Sequence, residues 1–291
     1  MPVRGICYIF RMAQEKYGAV WVSHSSMGDF LKCPRAYYLH HVYKDPKTGH
    51  KITVVNPALS LGQAVHATLE DLKELPVEER LRHDLLGDFE KAWENVSGKR
   101  GGFKNATEEV ETKERGRQMV ARVVKNPGPM AKKTVRLAPG KNNMPPNFYL
   151  SEDENIILCG LIDWLEYVPA DDSLRVIDFK TGKHEESEES LQLPIYLLLL
   201  QALQRRAVSG AAYWYLEKDD APVAVSLPRA DEAKESVLAV ARRVKEAREK
   251  KQYACPRGAE GCFVCKPYEL IFAGKAECVG VGGYGQDLYL I

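Results

Sequence analysis

Apolar positions recur at helical spacing through the first half of the chain. Ser25-Ser26-Met27-Gly28-Asp29 precedes Phe30, Leu31, Cys33, Tyr37 and Tyr38, and Ser26 with Asp29 has capping-box spacing with Asp in the Glu/Gln position. Asn56-Pro57 supplies an N-cap and a first-turn proline for a helix through Leu61, Val65, Leu69 and Leu72 to near Leu75. Residues 77–126 read as further helices broken at Gly101-Gly102, and 127–146 is loop-rich. The period then shortens. Residues 148–150, 156–168 and 174–179 predict strands, with Pro169-Ala170-Asp171-Asp172 as a turn. A helix follows from Glu189 to about Ala207, then strands at 211–216 and 223–227 and a long amphipathic helix over 231–250. From Cys255 the chain is rich in glycine and cysteine. The pattern predicts a mixed α/β core behind an N-terminal helical section. It divides the chain into a tail (1–22), one domain (23–270, with a helical elaboration at about 76–147) and a C-terminal tail (271–291).

Composition narrows the class. Of 291 residues 45% are hydrophobic and 28% charged, as in ordinary globular chains, which excludes collagen-like and disordered classes. No apolar run approaches the ~20 residues of a membrane helix. The net charge is +1, so any basic surface is local. Residues 99–136 hold eleven Lys/Arg against four Glu, and 242–251 hold six against two. Such patches can attract a polyanion, or they are solvated helix faces. Trp93, Phe103, Tyr213 and Trp214 are read either as core or as stacking platforms for bases. Seven cysteines without a secretory signal predict a reducing, cytoplasmic setting, where clustered cysteines more often bind metal than pair as disulfides.

The residues that carry chemistry lie around the middle strands. Asp178 and Lys180, in Ile177-Asp178-Phe179-Lys180-Thr181-Gly182, point to one side of a strand end. Asp163, fifteen residues earlier on the preceding strand, comes near Asp178 if the two strands pair through the 169–172 turn. Two converging carboxylates repel unless a cation lies between them, and oxygen ligands suit Mg²⁺ or Mn²⁺. His66, on the helix that starts at Pro57, offers a third ligand. Gln192 and Tyr196 are one helical turn apart and share a face.

Taken in order, Gly62-x3-His66, Gly160-x2-Asp163, Asp178-Phe179-Lys180-Thr181-Gly182 and Gln192-x3-Tyr196 resemble the RecB-type branch of the PD-(D/E)XK nuclease superfamily. The resemblance spans about residues 23–268, with weak matching between 76 and 147. It implies a restriction-endonuclease-like core, a central mixed sheet flanked by helices. It implies that His66, Asp163, Asp178 and the Phe179 carbonyl bind a divalent metal, that Lys180 positions or activates water, and that Gln192 and Tyr196 complete the site. The implied activity is metal-dependent hydrolysis of DNA, as an exonuclease on single-stranded ends in recombination, repair or CRISPR adaptation. The alternative is a DNA-binding scaffold subunit with a weak or inactive site, working with protein partners in a DNA-processing complex. Neither reading involves a membrane.

The segment Cys33-Pro34-Arg35-Ala36-Tyr37-Tyr38-Leu39 resembles the iron–sulfur members of this branch, the CRISPR-associated exonucleases and AddB-type nucleases. There, one cysteine before the core joins three after it to hold a [4Fe–4S] cluster. Cys262-x2-Cys265 fits the expected pair, while Cys255 and Cys278 are both candidates for the fourth thiolate, with Cys255 favoured because the Gly258 to Gly261 turn can fold it back. A cluster, a zinc ion at the same thiolates and a metal-free remnant all stay open. Cys7 and Cys159 read as bystanders.

Overall fold

The structure is a computed structural model that describes residues 18–291, so most of the predicted N-terminal tail, Cys7 included, lies outside the described residues. In chain order the elements are β1 (Val20–Val22), α1 (His24–Lys32), α2 (Pro34–Tyr37) running into a π-helical turn at Tyr38–Val42, β2 (Ile52–Val54), α3 (Pro57–Glu70), α4 (Val77–Arg80), α5 (Leu85–Glu94) and α6 (Ala106–Lys125). There follow β3 (Asn147–Ser151), β4 (Ile156–Cys159), β5 (Trp164–Val168), β6 (Ser173–Lys180), α7 (Gln192–Leu203), β7 (Val208–Tyr215), β8 (Val223–Val225), α8 (Ala230–Lys250), α9 (Lys266–Phe272), β9 (Glu277–Val281) and β10 (Asp287–Leu290). The mixed α/β architecture with helices flanking the sheets is the one that the residue pattern and the resemblance imply.

The main sheet runs β5-β6-β7-β8. Strands β5 and β6 form an antiparallel hairpin, β6 and β7 are parallel, and β8 returns antiparallel. Parallel neighbours need a crossover, and α7 supplies it. Alternation along β6 builds two layers. Leu174 and Val176 face one core with α7 and α8, while Ile177 and Phe179 face another with α3, α5 and α6. Helix α7 is also packed against the small β1-β4-β3 sheet, so it has apolar neighbours on two sides. That explains Leu193, Ile195 and the run Leu197-Leu198-Leu199-Leu200, all buried, in place of an amphipathic stripe.

The pattern departs from the structure at three places. Residues 156–168 read as one strand, but the chain leaves the β1-β4-β3 sheet after Cys159 and enters the main sheet at Trp164. Apolar residues continue through the break, because both segments are core strands. Gly160 sits in it, where a Cβ would lie 3.0 Å from Leu199 Cδ1. Secondly, α1 is capped by Ser23, whose hydroxyl accepts from Ser26 N–H, while Ser26 Oγ accepts from Ser23 N–H. Ser26 is thus the third helical residue and not the cap. Asp29 is drawn instead to His40 Nδ1 (3.0 Å) and His41 Nε2 (2.8 Å). Thirdly, β2-β10-β9 is a sheet that the pattern does not predict, and β1 and β9–β10 place parts of both stretches read as tails in sheets. No helix among the described residues is long and apolar enough to cross a membrane.

Candidate active site and cysteine cluster

The hairpin register brings the carboxylates together. Trp164 pairs with Ile177, so the next position sets Asp163 opposite Asp178. Asp163 stands in the bend just before β5, not within a strand as the pattern predicts. The Phe179 N–H donates to its Oδ2 (2.8 Å). A strand residue's N–H and C=O face the same edge, so the Phe179 carbonyl points toward the same space. Helix α3 reaches this point from the other layer. Its Asn56 cap accepts from Leu59 N–H (3.0 Å), and Pro57 follows at the first turn. His66 Nδ1 then lies 3.5 Å from Asp163 Oδ2, and the His66 ring meets Phe179 edge-on.

A residue the sequence reading missed completes this half of the site. Glu70 Oε1 is 3.4 Å from His66 Nδ1, and Glu70, His66 and Asp163 offer ligand atoms within 4.8 Å of one another. The signal was available: position 70 is one helical turn beyond His66 on the same face.

The second half surrounds Asp178. Its Oδ1 accepts from Gln192 Nε2 (2.6 Å) and from the Tyr196 hydroxyl (2.9 Å), and Gln192 also donates to Tyr196 (3.0 Å). Lys180 donates to Gln192 Oε1. Lys180 Nζ also lies 2.7 Å from Glu186 Oε2 and 3.0 Å from Asp178 Oδ2. Oδ2 is fully buried, and its close neighbour is the Lys180 ammonium. Glu186, in the loop between β6 and α7, is a second residue that no periodicity marks.

The charges explain what the site accommodates. Burial pushes the Asp178 carboxyl up, and the Asp163 charge adds to it, reaching about 7 against the opposition of Lys180 and Tyr196. Burial acts against charge on His66 too, but Asp163 and Glu70 outweigh it and raise the imidazole to about 10. Lys180 is likewise held above its usual value, because Asp178 and Glu186 overcome desolvation. The folded chain therefore keeps protons on His66 and Lys180 to balance its carboxylates. His66, Glu70 and Asp163 could hold a divalent cation, which would displace the His66 proton, and carboxylate and imidazole donors suit Mg²⁺ or Mn²⁺. Glu70→Gln is expected to weaken Mn²⁺ binding about 10- to 100-fold in a calorimetric titration. Unchanged affinity would show that Glu70 stands outside the metal's surroundings.

At the C-terminal end of α1, Cys33 meets Cys255, Cys262 and Cys265, and the four sulfurs lie within 4.8 Å of one another. Cys265 Sγ lies 3.8 Å from both Cys262 and Cys255. Of the two candidates for the fourth thiolate, Cys255 is in the cluster, while Cys278 is exposed on β9. Backbone N–H groups of Cys262 and Arg257 donate to Cys265 Sγ (3.1 Å) and Cys255 Sγ (3.4 Å). Arg35 ties the loop down by donating to the carbonyls of Gly258 and Ala259 and to Glu269. Cys159 stands apart and packs at the end of β4, donating to the Val22 carbonyl.

The basic stretches are laced with acid. Arg115 pairs with Glu217, Arg122 with Asp220, Lys113 with Glu90 and Arg242 with Glu154. Part of each stretch is therefore ion-paired surface. Trp93, Phe103, Tyr213 and Trp214 are all buried and belong to the core.

No curated protein matches the chain significantly. The model of one family does match, over residues 21–268, a stretch that holds every element from α1 to the cysteine pair and both halves of the site. On that match, over most of its length, the chain belongs to the PD-(D/E)XK nuclease superfamily.

Proposed function

We propose that the protein is a divalent-metal-dependent deoxyribonuclease that hydrolyses phosphodiester bonds, acting as an exonuclease on single-stranded ends. The observation that carries the chemistry is the buried Asp178 carboxylate beside Asp163 and Lys180, next to the His66, Glu70 and Asp163 group. The preference for DNA ends rests on the resemblance to the RecB-type branch.

His66, Asp163, Asp178 and the Phe179 carbonyl would hold Mg²⁺ or Mn²⁺, with Glu70 beside them. When bound, the ion supplies Lewis-acid polarisation of the phosphoryl oxygen and neutralises developing charge. The remaining roles belong to the chain. Gln192 and Tyr196 both donate to Asp178 Oδ1, which fixes the carboxylate and leaves Oδ2 facing Lys180. Gln192 accepts from Lys180 at the same time, so one amide sets the distance between the carboxylate and the ammonium. Lys180, protonated, donates to the attacking water or to a phosphoryl oxygen and stabilises the charge that develops there. Glu186 holds the ammonium until substrate takes its place.

A cavity of about 890 Å³ adjoins the site, lined by Glu186, Leu193, Tyr213 and Tyr215. Glu185, Glu188 and Asp219 also line it against one base, Lys218, which is paired with Glu185, so a phosphate backbone entering there meets net acid and needs the cation. Binding of a fluorescent single strand should therefore be much tighter with Ca²⁺ than with EDTA. The test of the activity is a panel of end-labelled single-stranded, duplex, circular and RNA substrates with Mn²⁺. Progressive shortening of linear single-stranded DNA, with the circle intact, is the expected result. Cutting of the circle would make the enzyme an endonuclease, and cleavage of RNA alone would overturn the substrate.

A further inference from the structure

We infer that the four-cysteine site holds a single tetrahedral Zn²⁺ ion and not the [4Fe–4S] cluster that the resemblance implies. The spacing of the sulfurs carries this. A zinc ion bound by four thiolates at about 2.3 Å places the sulfurs at the corners of a tetrahedron with an edge of about 3.8 Å. Cys265 Sγ stands 3.8 Å from Cys262 Sγ and 3.8 Å from Cys255 Sγ, and no pair among the four exceeds 4.8 Å. In a cubane, each thiolate binds a different iron, so an iron–iron edge separates any two and the sulfurs stand further apart. The space inside these four sulfurs fits one atom, not eight.

The inner side of the site is closed. Cys33 and Cys265 are fully buried, and Ala36 packs with them. A Cβ on Gly261 would come within 3.0 Å of Cys265 Sγ, so the loop already runs against the sulfur. Two backbone N–H groups donate to sulfur, which stabilises thiolate charge around a closed site. Four protein ligands and no open position are the signature of a structural ion.

The site also has a mechanical role. Cys33 is at once the C-cap of α1 and the N-cap of α2, and Cys265 is the N-cap of α9. One ion therefore clasps the first helices to the C-terminal segment, closing a loop of more than two hundred residues that contains the whole active site.

The experiment uses the full chain, expressed with iron and zinc both supplied and purified anaerobically. Elemental analysis should give about one zinc per chain, with no acid-labile sulfide and no absorption band near the visible region. Exchange into Co²⁺ should give the intense visible bands of tetrahedral cobalt thiolate, which requires no variant to fold. Cys262→Ser should lose most of the bound metal, while Cys278→Ser should keep it all. Iron and sulfide in equal amounts, at about four per chain, would overturn the inference. So would a chain that binds neither zinc nor cobalt. Because none of these readouts depends on cleavage, they fail or succeed separately from the nuclease reading.

Discussion

Asp178→Asn is expected to cost at least about 10²-fold in metal-dependent cleavage and, in the same preparation, to raise Tm in EDTA at pH 8. The two effects have one cause. Ionised Asp178 is buried beside Asp163, and its carboxyl is pushed from 3.8 to about 7. The sign follows from proton binding. Between those two values the folded state holds the proton and the unfolded state does not, so this group's contribution to stability falls as pH rises through the window. Above about 7 the full penalty stands. A displacement of that size corresponds to roughly 4 kcal/mol at most, reduced by what Lys180 loses when its neighbour becomes neutral. Asn carries no charge and keeps an acceptor for Gln192 and Tyr196. Without metal the variant is therefore the more stable protein. Added Mn²⁺ should reverse the order, since only the wild type has the carboxylate to bind it. A variant that unfolds below the wild type in EDTA would show that Asp178 is a structural ion-pair partner and not a strained ligand. Wild-type Tm in EDTA should also fall between pH 5 and pH 8 more than that of the variant.

Gly102→Val should be severely damaging although it lies outside the site, with a loss on the order of 4 kcal/mol or more. Gly102 has φ +84°, a region that a β-branched residue does not adopt without strain. A Cβ there would lie 2.5 Å from Asn56 Cα and 2.6 Å from Asn56 N. These are backbone atoms, so no rotamer change relieves the clash. Asn56 is the N-cap of α3, the helix that delivers His66 and Glu70. The variant should therefore lose activity at temperatures below its own unfolding transition, as the start of α3 is displaced. Chemical denaturation and cleavage measured on one sample check both effects. A Tm within a degree or two of the wild type would mean that the contact yields easily.

How much of this could be read from residues alone differs from element to element. Helix α3 announced itself through Asn56-Pro57, and β6 through alternation ending in Asp-x-Lys. Both signals are local, and the hairpin turn then brings Asp163 to Asp178. The break between β4 and β5 was hidden because Leu161 and Ile162 carry the apolar pattern from one core strand toward the other. The strands β1, β2, β9 and β10 are three to five residues long. A period of two leaves no clear mark over so short a span, and their pairing is set by partners distant in sequence. Glu70 was within reach, since helical spacing from His66 points to it. Glu186 was not: it acts from a loop, where only the folded chain decides what Lys180 meets. The choice between Cys255 and Cys278 likewise depended on whether Gly258 and Gly261 turn the chain back, and both have the positive φ that such a turn requires.

The most direct measurement is cleavage of a labelled single strand as a function of Mn²⁺ concentration, by the wild type, Asp178→Asn and Lys180→Ala. Cleavage that saturates with Mn²⁺, vanishes in EDTA and falls about 10²-fold or more in both variants is the predicted result. Cleavage that persists in EDTA, or that survives both substitutions, would contradict a metal-dependent centre at the ends of β5 and β6.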